Sequence, residues 1–464
     1  MTALPGLIAI ADHADTPALP LHALPLHVVT AAAFADWCAQ QSPTLQAWLK
    51  AQQFTAAAGS HALLPGSDGL AGAVLGVGDA HDPFAYAHAP YALPAGDWRL
   101  ADPLDAAASA ALQLGWGLGS YRYTRYRDAI RAPARLVCDL DADTAAQLAA
   151  CVRARDLINT PTEHMGPDEM EAVARDIAQT HGADIDVLAG GDLLTHNFPA
   201  IHAVGRASHR APRLIVLRWG DAAHPHIAII GKGVCFDTGG LDIKAAAGMR
   251  NMKKDMGGAA HAIALAELIM ARRLPVRITL LVPAVENAIG PNAYRPGEVI
   301  ATRKGVSVEI DNTDAEGRIV LCDALTYAAE QSPQLILDFA TLTGAARIAL
   351  GPDLPALFSN DDALADDWLA AGIHAFDPLW RMPLHRPYLR YLTSGIADLA
   401  NSSATSMAGC ITAALYLERF VPADVPWAHL DVYSWNDSDR HGRPAGGEAQ
   451  ALRSCYAMLK TRFG

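Results

Sequence analysis

Residues 306–330, VSVEIDNTDAEGRIVLCDALTYAAE, contain the pattern from which the fold class follows. Val306–Ile310 alternates apolar and polar residues, which predicts a strand, and the apolar period from Ala315 to Glu330 predicts a helix. From residue 213 onward, such strands and helices alternate. Further strands are predicted at Arg213–Leu217, His226–Ile230, Val276–Val282, Leu335–Phe339 and Ala428–Val432, and further helices at Gly257–Ala271 and Ile411–Phe420. The alternation predicts an α/β fold with a mostly parallel central sheet and helices on both faces.

The length of the chain, 464 residues, is too great for one ordinary core and predicts two domains. The elements expected near the N-terminus are strands at Leu7–Ala11 and Ala73–Val77 and helices at Ala106–Leu118 and Asp143–Leu157. The last helix ends at the turn sequence Asn159-Thr160-Pro161. We therefore expect a smaller N-terminal α/β domain over residues 1–140, a connecting helix over 141–160 and a larger catalytic α/β domain over 161–464.

The composition of the chain argues against several classes of protein. Lys plus Arg total 36 against 49 Asp plus Glu, a formal charge of −13, whereas a nucleic-acid binder needs a broad basic surface. The seven cysteines are scattered without a CxxC pair, which favours reduced thiols in the cytoplasm over a disulfide framework or a thiolate zinc site. No secretory signal is expected, and the uncharged stretch near residues 106–121 is too short to span a membrane.

The segment Tyr121–Arg127 alternates aromatic residues with arginine. A surface for single-stranded nucleic acid has this character. One short basic stretch in an acidic domain more often packs at the end of an amphipathic helix, and we favour that interpretation.

Two glycine-containing segments follow predicted strands. Gly231–Gly240, GKGVCFDTGG, comes directly after the strand His226–Ile230, where α/β sheets place active-site loops, but it lacks the spacing of a phosphate loop. In the second segment, Met252–Gly258, Asp255 precedes a predicted helix and has the ordinary explanation of an N-cap. The ordinary explanation of the neighbouring Lys253 and Lys254 is a pair of solvent-exposed lysines.

The acidic turn after Ile310 carries the strongest chemical signal. Thr313 and Glu316 have the spacing of a capping box, which is the structural alternative for Glu316. A capping box requires neither Asp314 nor Arg318. Across a strand-to-helix turn, Asp314 and Glu316 can point their oxygens into one small volume, and the positive end of the helix offsets part of their repulsion.

Residues 312–318, NTDAEGR, resemble the signature of the leucyl (cytosol) aminopeptidase family. The segments at 231–240 and 254–258 match the same family in the same order. Further matches lie at Arg155–Pro161, Ala340–Ala345, Ile396–Leu399, Ile411–Ala414 and Trp427–Asp431. The resemblance covers residues 150–435, whereas in the N-terminal part only Tyr121–Arg127 is weakly similar to the family.

The resemblance implies an aminopeptidase that uses a hydroxide held between two divalent ions, which would be zinc, manganese or magnesium. The implied metal ligands are Lys232, Asp237, Asp255, Asp314 and Glu316, with Asp237 and Glu316 bridging the ions. Lys244 would stabilise the oxyanion, and Arg318 would hold a bicarbonate that relays protons. The matched substrate-pocket positions are Met252, Thr341, Gly344, Tyr433 and Asn436. The family also implies a homo-hexamer acting on peptides with a free N-terminus.

Elementary chemistry agrees with this assignment. Four carboxylates in one cleft repel one another unless cations neutralise them, and Lys232 can act as a ligand only as a neutral amine, which requires a depressed pKa. Guanidinium does not deprotonate, so holding an anion is the sensible role for Arg318.

Two departures from the family pattern lie outside the implied ligands. Residues 432–436, VYSWN, stand where the family often has small residues, and residues 446–450, GGEAQ, replace its usual segment near the end. Because Tyr433 and Asn436 add polar groups to the expected wall of the pocket, we expect small or polar first residues to be preferred over leucine.

Two rival functions remain open from the sequence. A two-metal hydrolase could act on a phosphoester, but few arginines accompany the implied ligands. A DNA-binding regulator with secondary peptidase activity is the alternative from another class, because some bacterial relatives bind DNA. The charge of −13 argues against it.

Overall fold

The computed structural model describes residues 4–10 and 23–464, so the predicted end of the first strand at Ala11 lies outside the described residues. The chain divides into two units, Met1–Val152 with Asn436–Ala445, and Arg153–Trp435 with Gly446–Gly464. The boundary falls within a helix, Ala142–Asn159. The domain limits at residues 140 and 160 stay a prediction.

A six-stranded sheet forms the centre of the first unit, with strand order β1-β6-β5-β2-β4-β3. Its strands are β1 Leu7–Ala9, β2 Leu24–Thr30, β3 His61–Gly66, β4 Gly69–Val77, β5 Asp97–Leu100 and β6 Arg135–Cys138. The helices are α1 Phe34–Ala39, α2 Pro43–Ala51, α3 Ala89–Ala92, α4 Ala106–Ser120 and the first part of α5 Ala142–Asn159. Among the described strands of this sheet, β3 and β4 pair antiparallel and the other pairs are parallel. Trp98 and Trp116 are fully buried in the core of this unit.

The segment Tyr121–Arg127 follows α4 without regular secondary structure. The guanidinium of Arg122 lies 4.1 Å from the ring centroid of Tyr91 and donates hydrogen bonds to the carbonyls of Gly119 and Tyr121. Gly119 lies in the last turn of α4 and Tyr121 is its C-cap, so Arg122 packs at a helix end, as the structural interpretation predicts.

A nine-stranded sheet forms the centre of the second unit, in the order β16-β15-β18-β14-β9-β11-β8-β7, with β10 paired to β11. These strands are β7 Asp184–Ala189, β8 Arg213–Trp219, β9 His226–Gly231, β10 Gly233–Asp237, β11 Arg277–Asn287, β14 Leu335–Ala340, β15 Ala356–Ser359, β16 Trp380–Arg381 and β18 Trp427–Asp431. Its inner strands β18, β14, β9, β11 and β10 are mutually parallel. The mostly parallel sheet predicted from the sequence is thus confirmed.

Helices cover both faces of this sheet. They are α6 Pro167–His181, α7 Asp192–Thr195, α8 Pro199–Gly205, α9 Ala246–Met249, α10 Gly257–Ala271, α11 Glu316–Glu330, α12 Gly344–Leu350, α13 Asp362–His374, α14 Gly409–Glu418 and α15 Leu452–Phe463. On β14, Ala340 belongs to the apolar cluster that contains α8 and α11 residues. Its neighbour Phe339 packs instead against His261 of α10 and Trp368 of α13. Successive strand residues point to opposite faces, so the two groups of helices lie on opposite sides.

The strand predicted at Val306–Ile310 differs in extent and place from the expectation. It is β13, Ser307–Glu309, and it belongs to a separate three-stranded sheet with β12 Val299–Ala301 and β17 Leu399–Ala400. Two-residue strands follow near the end of the chain at β19 Trp435–Asn436 and β20 Gly446–Gly447. Within the described ranges, no helix is both long and apolar enough to cross a bilayer.

Candidate active site

The chemically active side chains lie where strands of the second sheet end. Lys232 follows β9, Asp237 ends β10, and Asp431 ends β18. Because the carboxyl ends of parallel strands meet at one edge of a sheet, residues far apart in sequence come together there. Glu316 begins α11 and joins them. The residues surround a cavity of about 310 Å³.

The turn after Asp237 is shaped by two glycines with positive φ, Gly239 at +86° and Gly240 at +65°. The hydroxyl of Thr313 donates to the Gly239 carbonyl at 2.6 Å and accepts from the backbone N–H of Asp242 at 2.8 Å. A Cβ added to Gly240 would lie 2.9 Å from that hydroxyl oxygen. Glycine is therefore required for this turn to pack against the acidic turn that carries Asp314.

Three buried carboxylates form the centre of the site. One oxygen from each of Asp237, Asp255 and Glu316 lies within 4.8 Å of the others. The second oxygen of Glu316, Oε2, is buried without a hydrogen-bond partner among the residues that the structure describes. A buried, unpaired carboxylate oxygen beside two further carboxylates is costly. A divalent cation with oxygen ligands fits this donor set.

Lys232 lies inside the acidic cluster. Its Nζ is 2.7 Å from Asp255 Oδ2 and 2.9 Å from Glu316 Oε1, and it donates to the carbonyl of Thr341 at 2.8 Å. Burial lowers the pKa of Lys232, but the carboxylates of Asp255, Glu316 and Asp237 outweigh burial and hold the pKa above its usual value. The depressed pKa that Lys232 needs in order to act as a ligand is therefore not present in the protein without metal ions.

Lys244 forms a second positive centre on the other side of Asp237. Its Nζ lies 2.7 Å from Asp237 Oδ2 and also contacts Asp314 Oδ1. Burial lowers the pKa of Lys244, yet Asp237 and Glu316 raise it above its usual value, so this group stays an ammonium ion at neutral pH.

The carboxylates of the site interact strongly through their charges. Burial and the charge of Asp237 raise the pKa of Asp314 to about 6, against the lowering influence of Lys244. Burial and Asp237 likewise raise the pKa of Glu316 well above its usual value. A set of acids that resists ionisation in this way is stabilised when cations supply the missing positive charge.

The structural alternatives offered for the acids are wrong. Met256, not Asp255, is the N-cap of α10, and Asp255 lies in the short 3-10 helix Met252–Met256. The hydroxyl of Thr341 donates to Asp255 Oδ1 at 2.9 Å. No capping box forms at α11, because Ala315 is its N-cap and makes no side-chain hydrogen bond.

Arg318 is buried in the first turn of the helix that begins at Glu316. Its Nη1 donates to the carbonyl of Asn401 at 2.9 Å, whereas Nε has no hydrogen-bond partner within the described part of the chain. Arg318 also lines the cavity. A buried guanidinium with an unused N–H can hold an anion.

The cavity gathers most of the expected pocket residues. Met252, Thr341, Gly344 and Tyr433 line it, and Asn436 is not among its lining residues. Asn436 belongs to the first unit, where its Nδ2 donates to the carbonyl of Pro444 at 3.2 Å.

Lys254 and Arg347 are cavity residues that the sequence did not reveal. The expectation that Lys253 and Lys254 form a solvated pair is wrong. Lys254 is buried, and Lys253 donates to the carbonyl of Asn159 at 2.6 Å. Burial lowers the pKa of Lys254 to about 8. The signal missed was position: Lys254 directly precedes a ligand candidate in a tight turn.

Asn287 also escaped the sequence analysis. It lies at the end of β11, and its Nδ2 donates to Asp237 Oδ1 at 2.8 Å and to the carbonyl of Thr313 at 3.1 Å. It therefore holds the two acid-bearing turns together. An isolated asparagine at a strand end gives no sequence signal of this role.

A buried carboxylate cluster at the strand ends of an α/β fold is the kind of site that metal-dependent hydrolases use. Two sequence profiles match the chain: the catalytic domain of the cytosol aminopeptidase family at residues 152–456, and the N-terminal domain of M17 aminopeptidases at residues 24–139. The chain belongs to the cytosol aminopeptidase family, whose members are metallo-exopeptidases.

Individual relatives agree with this membership. A probable cytosol aminopeptidase of Roseiflexus castenholzii is 42% identical over an alignment of 373 residues that covers 76% of each chain. The crystal structure of the cytosol aminopeptidase from Coxiella burnetii superposes with a TM-score of 0.93 at 47% identity, covering 96% of this chain and 98% of that one. The bottromycin maturation enzyme BotP, in complex with Mn, gives a TM-score of 0.86 at 34% identity, covering 95% and 99%.

The family membership and the similar solved structures define the general activity of this chain. The chain is a metal-dependent aminopeptidase that uses divalent ions and acts on peptides.

Proposed function

We propose that this chain removes residues from the free N-terminus of peptides with two divalent ions, zinc, manganese or magnesium, held by five side chains. The proposed ligands are Lys232, Asp237, Asp255, Asp314 and Glu316. The single observation that carries the proposal is the group of three buried carboxylates within 4.8 Å, in which Glu316 Oε2 has no hydrogen-bond partner among the residues that the structure describes. When bound, two such ions lower the pKa of a bound water and polarise the scissile carbonyl.

Lys232 must lose its proton to become a ligand. Its ammonium group is held by the negative charge of Asp255 and Glu316, so neutralisation of those carboxylates removes the attraction that retains the proton. Burial then favours the neutral amine.

Lys244 has the opposite role in this proposal. Its charge persists at neutral pH, and it projects into the cavity beside Asp237 and Asp314. A fixed ammonium there stabilises the negative charge that develops on the substrate's carbonyl oxygen during attack.

Arg318 holds a small anion in this proposal, and bicarbonate is the one that the family resemblance implies. Its Nε, which has no hydrogen-bond partner among the described residues, supplies a donor, while the carbonyl of Asn401 accepts from Nη1 and fixes the guanidinium. The anion can accept and return protons, which the arginine itself cannot do.

The cytoplasm is the proposed location, in agreement with the names of the relatives. A homo-hexamer is the proposed assembly, and sedimentation of the native enzyme tests it. Asn436 remains a proposed pocket residue, although its side chain bonds within the first unit.

Chelation tests the metal dependence. The chelated enzyme should lose its activity on alanyl and leucyl substrates, and added manganese or zinc should restore it. Glu316→Gln should lower the bound metal per chain, measured by mass spectrometry, because it removes a buried negative donor. Asp36→Asn, at an exposed position of α1, serves as the matched control. Full activity in a metal-free preparation would contradict the proposal.

A further inference from the structure

Two cationic side chains lie close to the aromatic ring of Tyr433 in the wall of the cavity. Lys254 Nζ lies 4.9 Å from the ring centroid, and the guanidinium carbon of Arg347 lies 4.8 Å from the same centroid. All three residues line the cavity that contains the carboxylate cluster. Both cations therefore stand on the same part of the wall, stabilised by the face of the ring.

Lys254 lacks a carboxylate partner of its own. It is only 8% exposed, and no ion pair within 4.0 Å involves it among the residues at 4–10 and 23–464. The nearby acids are engaged elsewhere. Asp255 is paired with Lys232, and Asp431 accepts from the hydroxyl of Thr343 at 2.6 Å and from the backbone N–H of Leu342 at 3.0 Å. A buried, unpaired ammonium is costly to maintain and is expected where a ligand supplies the counter-charge.

The charge of the cavity wall suits an anionic group. The wall contains equal numbers of basic and acidic side chains, namely Lys232, Lys244, Lys254, Arg318 and Arg347 against Asp237, Asp255, Asp314, Glu316 and Asp431. Divalent ions at the acids leave the wall net positive. Space is also present, since a Cβ added to Gly344 would meet no heavy atom within 4 Å.

We infer that the pocket for the first side chain accepts a carboxylate, so that peptides beginning with glutamate or aspartate are the preferred substrate class. Lys254 is the principal specificity-determining residue, Arg347 supplies a second donor, and Tyr433 orients both. The inference rests on the proposed aminopeptidase function. It narrows the expected preference for polar first residues to acidic ones.

Glutamine is the matched comparison for glutamate, because the two side chains differ in charge and hardly in shape. With the metal-loaded enzyme, kcat/KM for a glutamyl substrate should exceed that for its glutaminyl counterpart by roughly 10- to 150-fold, the range expected for a hydrogen bond to a charged group. A leucyl substrate gives the apolar reference. This comparison uses the wild-type enzyme and requires no variant.

Lys254→Met keeps the length of the side chain and removes its charge. The ratio of glutamyl to glutaminyl kcat/KM should fall to about one-tenth of the wild-type ratio or less. Arg347→Met, at an exposed position, should reduce the same ratio to a smaller extent. Lys50→Met, at an exposed position of α2, changes the net charge equally and should leave the ratio unchanged.

The outcomes separate the two proposals. A metal-loaded wild-type enzyme that is inactive on alanyl, leucyl and glutamyl substrates alike contradicts the proposed function. An active enzyme that hydrolyses the glutaminyl substrate as well as the glutamyl one overturns only the acidic preference. A folded Lys254→Met variant that retains the wild-type ratio overturns the role of Lys254. If the Lys254→Met variant does not fold, the ratio of glutamyl to glutaminyl kcat/KM in the wild type and in Arg347→Met decides whether the acidic preference holds.

Discussion

Lys244→Met removes the ammonium group that contacts Asp237 and Asp314 while keeping most of the apolar stem. If this charge stabilises the developing oxyanion, its loss should lower kcat by roughly 10²- to 10³-fold, or about 2.7–4 kcal/mol in the barrier. KM should change little, because the interaction forms mainly in the transition state. The measurement is steady-state hydrolysis of alanyl and glutamyl substrates with saturating metal.

Metal binding gives an independent readout for this variant. Lys244 Nζ lies 2.7 Å from Asp237 Oδ2, and a pair of opposite unit charges at about 4 Å is worth on the order of 4 kcal/mol at an effective dielectric constant near 20. Because a divalent ion competes with this ammonium for the carboxylates, the variant should bind metal at least as tightly as the wild type. Calorimetric titration of the chelated proteins measures this.

The pH profile adds a third readout. Burial opposes the charge of Lys244, but without bound ions Asp237 and Glu316 hold its pKa above the usual value. The oxyanion role requires that the group also stay charged with the ions bound, as a lysine with its ordinary pKa of about 10.4 does. The loss of kcat should therefore be constant from about pH 6 to about pH 9. A variant that loses its metal would show that Lys244 is a ligand or a structural residue. A variant with wild-type kcat would refute the oxyanion role.

Three further predictions concern stability and partner choice. Glu448→Ala should lower the free energy of unfolding by about 3–5 kcal/mol, because it removes the carboxylate that accepts from Nε and Nη2 of the buried Arg155 guanidinium, with 1% and 4% of the two side chains exposed. Glu267→Ala breaks a similar but partly exposed pair, 23–30% exposed, and should cost under about 1 kcal/mol; equal costs in urea unfolding would contradict the reasoning. Burial lowers the pKa of His429, but Asp338, 2.5 Å from its Nδ1, outweighs burial and raises it. The contribution of this histidine is thus complete below about pH 6.5 and declines as pH rises toward the folded-state pKa, a decline that His429→Asn should lack in unfolding curves. Finally, gel-shift experiments at low and physiological salt should show no specific DNA complex, given the charge of −13, and a salt-resistant complex would revive the regulator alternative.

Local patterns in the sequence determined the elements and much of the candidate chemistry. The helix predicted at Gly257–Ala271 has those bounds in the structure, and the strand predicted at His226–Ile230 extends by one residue. Apolar periodicity is a property of neighbouring residues, so it can be recognised in the sequence without knowledge of the fold. The turn residues Asp314 and Glu316 were identified for a similar reason, since a capping box formed by Thr313 and Glu316 does not require an acid at position 314.

Only the tertiary structure decided which isolated residues complete the site. Thr313 and Gly239 are 74 positions apart, yet their hydrogen bond joins the two turns that carry the acids. Lys253 and Lys254 look equivalent in sequence, but one donates to a carbonyl and the other lies beside Tyr433 in the cavity wall. The direction of a side chain in a tight turn depends on contacts from distant strands. Burial, and with it the charge environment of the cavity, is therefore absent from any local pattern.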